Sequence, residues 1–103
     1  MEGVTGSAIM RNDGSVVASR LPGGIDPKEL SKRAIKMMES ARQYSEKAGG
    51  SAPSYAFAGG SEGFVAVAQG ERFLLVCIFG AESDADSVES KIRKAAVNLR
   101  ELA

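Results

Sequence analysis

The chain has 103 residues, 44% of them hydrophobic and 25% charged, and 13 lysines and arginines balance 13 aspartates and glutamates. A chain of this length builds one core without disulfides or metals, so a single domain over 1–103 is expected. Zero net charge argues against a general nucleic-acid or membrane-surface binder, which carries a basic excess. No apolar run approaches the ~18 residues of a membrane span, so direct membrane insertion is not expected. A single cysteine, Cys77, excludes an internal disulfide and fits a reducing cytoplasm. Met1-Glu2-Gly3 begins neither a signal peptide nor a myristoylation site.

Val4 to Arg11 reads as a strand, and Asn12-Asp13-Gly14 as its turn, with Asp-Gly supplying the positive φ angles of a tight hairpin. Ser15 to Arg20 is the return strand, and Leu21-Pro22-Gly23-Gly24 breaks it.

Asp26 to Ala48 reads as one long amphipathic helix. Asp26 is placed to cap it and Pro27 stands at the first helical position, where a missing N–H costs nothing. Glu29 completes a capping box, with Ile25 and Leu30 as its hydrophobic staple. Gly49 and Gly50 permit the left-handed stop. Leu30, Ala34, Met37, Ala41, Tyr44 and Ala48 follow steps of four and three residues and form the seam expected to dock on a sheet. Ile35 and Met38 make a second stripe about 100° around the helix. It is either surplus apolar surface for a partner or part of a broad core-facing side.

After Gly49-Gly50-Ser51-Ala52-Pro53, a short strand runs from Ser54 to Ala58, with Tyr55 and Phe57 on one face and Ala56 and Ala58 on the other. Gly59-Gly60-Ser61-Glu62-Gly63 is a hairpin loop, Phe64 to Gln69 the next strand, and Arg72 to Phe79 the last. Phe73, Leu75, Cys77 and Phe79 face one way and Leu74, Val76 and Ile78 the other, so this strand must be central and covered on both sides. The second cover is a helix capped by Ser83 or Asp84 and reaching Leu102, with Val88, Ile92, Ala95, Leu99 and Leu102 as its apolar stripe. Its acids lie early and its bases late, matching the helix dipole, and Glu89 and Arg93 form a four-spaced pair. The expected fold is α+β in three layers, α/β/α, with a five-stranded antiparallel sheet and the order ββαβββα.

Catalytic chemistry is poorly supplied. The chain has no histidine, which removes the commonest general base and metal ligand. Cys77 falls in a buried strand, where a thiol is inert. No phosphate-binding loop ending in Gly-Lys-Ser/Thr is present, and the glycine-rich stretch at 59–63 lies between two strands with no helix following. No enzyme, cofactor or metal is expected. What remains is an interaction module. The strand Ser54 to Ala58 carries none of the lysines or inward charges that protect natural edge strands. Beside a helix with a spare apolar stripe, it points to pairing with a second copy through Ala34, Met37, Met38, Ala41, Tyr55, Ala56, Phe57 and Ala58 in an isologous twofold interface. The alternative is that its small residues merely permit close packing beneath the helix.

The layout resembles the roadblock / dynein light chain family. The resemblance rests on the opening strand Val4-Thr5-Gly6-Ser7-Ala8-Ile9-Met10, the Asn12-Asp13-Gly14 turn, and the return strand Val16-Val17-Ala18-Ser19. The capped long helix, the Gly63-Phe64 strand, the apolar strand to Phe79 and the terminal helix follow in family order. Many members carry an extra helix before the first strand, for which Met1-Glu2-Gly3 leaves no room. The resemblance implies homodimers joined through the short strand and long helix into one ten-stranded sheet. It also implies that the paired helices form a platform for a Ras-like small GTPase, as regulator or scaffold. Lys36, Glu39, Gln43 and Lys47 are then the helix-face candidates for that partner. The runner-up is a profilin-like or PAS-like small-molecule sensor with an enclosed pocket between the long helix and the strand Arg72 to Phe79.

Overall fold

A computed structural model describes residues 3–101. Five strands and two helices follow in the order β1 (Val4–Arg11), β2 (Val16–Arg20), α1 (Pro27–Lys47), β3 (Tyr55–Gly60), β4 (Gly63–Gln69), β5 (Phe73–Phe79) and α2 (Ala85–Glu101). The strands form one antiparallel sheet in the order β2-β1-β5-β4-β3. The order and the three layers are those read from the sequence. The expected end of α2 at Leu102 lies outside the described residues.

β5 is central because it is apolar on both faces. Leu74 and Val76 join Ala8, Met10, Val67 and the inner residues of α1 in one core. Cys77 and Phe79 join Ala66, Ala68 and the inner residues of α2 in the other. Alternation along a single strand thus fills two cores, one under each helix. α2 covers the β3–β5 side of its face, and Ile9 on β1 remains 38% exposed.

Both helix starts are side-chain capped. Lys28 N–H donates to Asp26 Oδ1 at 3.0 Å, and Ser87 N–H donates to Asp84 Oδ1 at 2.8 Å. Of the two candidates for the second cap, Asp84 fills the role. α1 ends in a Schellman motif: Gly50 N–H reaches Ser45 C=O, and Gly49 N–H, with Gly49 at φ +80°, reaches Glu46 C=O.

Two local expectations change. In the first hairpin only Gly14 takes a positive φ, +96°; Asp13 does not. The turn is closed by Gly14 N–H on Arg11 C=O and Arg11 N–H on Ser15 C=O, a three-residue loop with a glycine bulge. Asp13 serves through its side chain, accepting from the Ser15 N–H and hydroxyl. Those bonds, the hydroxyl's first, hold its carboxyl below the usual range.

The second change concerns the rotation of α1. The expected seam included Tyr44, which is 75% exposed, and left out Met38, which is 3% exposed. The buried line is Leu30, Ser31, Ala34 and Met38. Ile35 packs against the same core, so the second stripe belongs to a broad core-facing side. Ser31 tolerates burial because its hydroxyl donates to Gly14 C=O at 2.7 Å, tying the helix to the first hairpin. Met37 is half-buried and packs at the margin of the same core, whereas Tyr44, farther along the helix, faces outward.

Candidate functional site

The Met37 flank of α1 and the edge strand β3 border a groove of about 870 Å³. Met37 and Ala41 form its apolar wall, with Arg33 and Lys36 above them; Ala56, Ala58 and Gly59 form the strand side. Glu62, at the tip of the β3–β4 hairpin, stands at one end.

The edge is built by β3 itself. Gln69 N–H donates to Ser54 C=O at 2.8 Å, and the β3–β4 register pairs Tyr55 with Ala68, Ala56 with Val67 and Phe57 with Ala66. In an antiparallel ladder, hydrogen-bonded and non-bonded pairs alternate. Ala56, Ala58 and Gly60 therefore turn their backbone groups toward β4, and Tyr55, Phe57 and Gly59 turn theirs outward. Ala58, Gly59 and Gly60 are exposed, and no charged residue or proline lies in the strand.

The side chains divide as alternation requires. Ala56 packs with the α1 core, and Tyr55 and Phe57 pack with the α2 core. The Tyr55 hydroxyl donates to the Glu89 carboxylate on α2, and Glu89 pairs with Arg93 at 3.3 Å. The hydrogen bond to Glu89 holds the Tyr55 phenol above its usual range. Phe57 meets Phe64 with ring centroids 6.3 Å apart. β3 is thus anchored beneath α2 by two aromatic side chains, while its backbone edge stays open.

Of the sequence-derived pairing candidates, the structure brings Met37, Ala41, Ala56, Phe57 and Ala58 together around the groove. Ala34 (0% exposed) and Met38 (3% exposed) are consumed by the protomer's own core and have no surface for a partner. The Tyr55 and Phe57 side chains pack with the α2-side core, and Phe57 also borders the groove. Among the GTPase-facing candidates, Lys36 lines the groove, and Glu39, Gln43 and Lys47 are exposed on α1. Sequence reasoning missed Arg33, Glu62 and the Tyr55–Glu89 bond. The helical period places Arg33 on the flank of Met37, but the other two depend on contacts between elements distant in sequence.

Cys77 is 1% exposed, and burial pushes its thiol up to about 11. A sensor would need an enclosed pocket between α1 and the strand Arg72 to Phe79: Ala34, Leu74 and Val76 are packed together there, and the open groove beside them is lined by Leu30 and Met37 of α1 and by Ile78 and Phe79 of β5. Among the described residues, no helix is long and apolar enough to cross a membrane.

The family model of the Roadblock/LC7 domain matches residues 1–79. Myxococcus xanthus MglB superposes with a TM-score of 0.77 at 18% identity, over 96% of this chain and 82% of that one. A Roadblock/LC7 domain from Streptomyces avermitilis superposes at 0.76 and 15% identity, over 97% and 85%. Profilin from Schizosaccharomyces pombe superposes at 0.72 and 13% identity, over 98% and 88%. Among curated protein sequences none matches.

Proposed function

This chain belongs to the Roadblock/LC7 domain family, and from that premise we propose that it is a non-enzymatic homodimeric regulator or scaffold of a Ras-like small GTPase in the cytoplasm. The observation that carries the proposal is the juxtaposition of an unprotected β3 edge with the partly apolar, half-buried flank of α1 at Met37 and Ala41. A free edge of this kind is a template for strand addition, and natural proteins leave one open where pairing is used. A second copy satisfies both features at once, because its own edge and flank are complementary to themselves under a twofold axis. Two α1 helices then lie side by side, and their outward residues, including Lys36, Glu39, Gln43 and Lys47, form a continuous surface for the GTPase.

The fold likeness to MglB and to a Streptomyces avermitilis Roadblock/LC7 domain supports the architecture of this reading. With no histidine and a buried, protonated Cys77, an effect on a GTPase would come from positioning rather than from chemistry supplied by this chain. The test is titration calorimetry of the purified protein against Ras-like GTPases of the same organism, each loaded with GDP or a non-hydrolysable GTP analogue. Binding that differs between the two nucleotide states, and weakens at least about fivefold in Lys36→Ala/Lys47→Ala, is expected. Equal and negligible binding in both states for every GTPase would remove the proposal.

A further inference from the structure

We infer that the open half of the sheet beside α2 is a docking site for an amphipathic helix of a partner protein, one whose apolar stripe is flanked by acidic residues. The site lies on the face of the sheet opposite α1. It is a second surface, beyond the function proposed above, and it stands whether or not the β3 edge pairs.

The two faces of the sheet are closed to different extents. α1 reaches from β2 to β3 across its face, whereas α2 packs chiefly on β4 and β3. Residues paired across strands share a face, so burial can be followed along a row. On the α1 face, Ala8 pairs with Val76 and Val76 with Val67, and all three are buried. On the α2 face, Ala68 pairs with Leu75, Leu75 with Ile9, and Ile9 with Ala18. There Ala68 is buried, Leu75 is half-buried, and Ile9 and Ala18 are exposed. Phe73, on the same face of β5, is half-buried too. Val17, the extra residue where the β1–β2 register shifts, is 48% exposed next to Ala18. The apolar row that begins under α2 therefore runs out into solvent over β1 and β2.

The space takes one helix. Neighbouring strands are about 4.8 Å apart, so β1, two spacings from β4, lies roughly 10 Å from it. Packed helices lie about 8–10 Å apart. A helix resting against α2 therefore sits over β1, with Ile9 beneath it and Leu75 and Ala18 to its sides. With α2 standing above the sheet as a wall, the open half is a step that takes a rod rather than a flat lipid surface. Its polar surroundings are basic. Arg11 pairs with Phe73, and Arg20 with Ser7, which in turn pairs with Cys77, so both arginines belong to this face, on either side of the Ile9 row. The hydrogen bond from Tyr55 turns Glu89 toward β3. At about 100° per residue, the opposite flank of α2 carries Lys91 and Asn98, with Lys94 at its outer margin. β1, β2 and β5 contain no acid. Asp13, beside Arg11, is engaged by Ser15, and Asp84 by the Ser87 N–H. A helix held between these two lines of positive charge is favoured by acids on both flanks of its apolar stripe and rejected when lysines stand there.

Display selection against the full chain tests this. The library holds helical peptides of the length of α2, 17 residues, with an apolar stripe fixed at helical spacing and the flanking positions randomised among Glu, Gln and Lys. The expected winners carry Glu on both flanks. Their affinity, read by fluorescence anisotropy, is expected to fall at least about tenfold in Ile9→Gln and in Ala18→Glu. It should be unchanged in Tyr44→Gln, which alters an exposed apolar side chain on α1. Methyl NMR of the wild type keeps the test decisive if a variant fails to fold: Ile9 and Val17 shift on adding a selected peptide, and Met37 does not. Winners with lysine or unbiased flanks overturn the proposal, as does a library that yields no binder. Shifts at Met37 with none at Ile9 overturn it by placing the helix in the groove. Self-association of the wild type that Ile9→Gln abolishes gives the face to a second copy, and binding to phosphatidylserine vesicles that Ile9→Gln abolishes gives it to a lipid surface; either result overturns the partner helix.

Discussion

At the residue scale, two positions show how far single side chains constrain this molecule. Gly63 opens β4 at φ +128°, and a Cβ built there would lie 2.0 Å from the Phe79 carbonyl oxygen. Neither the backbone conformation nor the neighbour can yield, since the neighbour is itself main chain of the central strand. Gly63→Ala is expected to destabilise by at least about 2 kcal/mol, the range of strained backbone sites, and to lower the thermal midpoint by roughly 10 °C. Gly63 was readable as a loop glycine, but the approach of Phe79 was not. Cys77 behaves differently. Its thiol ionises at about 11 in the fold against an ordinary 9.0. Below pH 9 it is protonated in both folded and unfolded chains and its protonation contributes no pH dependence. Between about 9 and 11 the unfolded chain releases the proton and the folded chain holds it, so unfolding is increasingly favoured. Stability is expected to fall across that window, measured by denaturant titration, and the fall attributable to the thiol should disappear in Cys77→Ala compared at each pH.

At the element scale, α1 is the informative case. Its limits were legible because caps are local: Asp26 and Pro27 start it, and Gly49 and Gly50 end it. Its rotation was not. The four-three spacing runs through Met37 and Tyr44 as convincingly as through Met38, and a helical wheel has no reason to prefer one. The buried line includes Ser31, a polar residue that periodicity excludes from a core, whose hydroxyl donates to Gly14 C=O. Two neighbouring methionines differ in depth: Met38 is buried, and Met37 packs at the margin of the core and lines the groove. Met38→Ala is expected to cost about 2–5 kcal/mol, as removal of a buried side chain does. Met37→Glu is expected to cost about 1 kcal/mol of protomer stability while shifting self-association toward monomer by at least tenfold. Denaturant melts and sedimentation equilibrium on the two variants separate these outcomes; equal loss of folding in both would mean that the flank of Met37 is core.

At the scale of the whole molecule, the sheet has two ends of unlike character. β2 closes one end and finishes on Arg20; β3 closes the other without a charge. Association at the β3 end makes stability depend on concentration, because unfolding a dimer also dissociates it. For a dimer that unfolds as a unit, each tenfold increase in protein is worth about 1.4 kcal/mol, and the thermal midpoint is expected to rise by roughly 3–6 °C. Calorimetric scans across a hundredfold range in the wild type, and in Ala58→Lys, test this: the variant's midpoint should not move with concentration. The open groove, and the partner wall it lacks, exist only at this scale.

What the sequence determined by itself was everything written in short-range chemistry. The hairpin and helix punctuation, the two-faced strand that had to be central, the order ββαβββα and the absence of charge on β3 all follow from residues within a few positions of one another. What only the tertiary structure decided was orientation: which flank of α1 is free, that Tyr55 and Phe57 turn beneath α2 toward Glu89, that Met38 is core, and that the candidate surface is a groove with Arg33 and Glu62 around it. The physical reason is that a periodic pattern defines an apolar face only up to a rotation of about one residue. The side chains that fix orientation reach distant partners: Ser31 bonds Gly14 and Tyr55 bonds Glu89, 17 and 34 positions away.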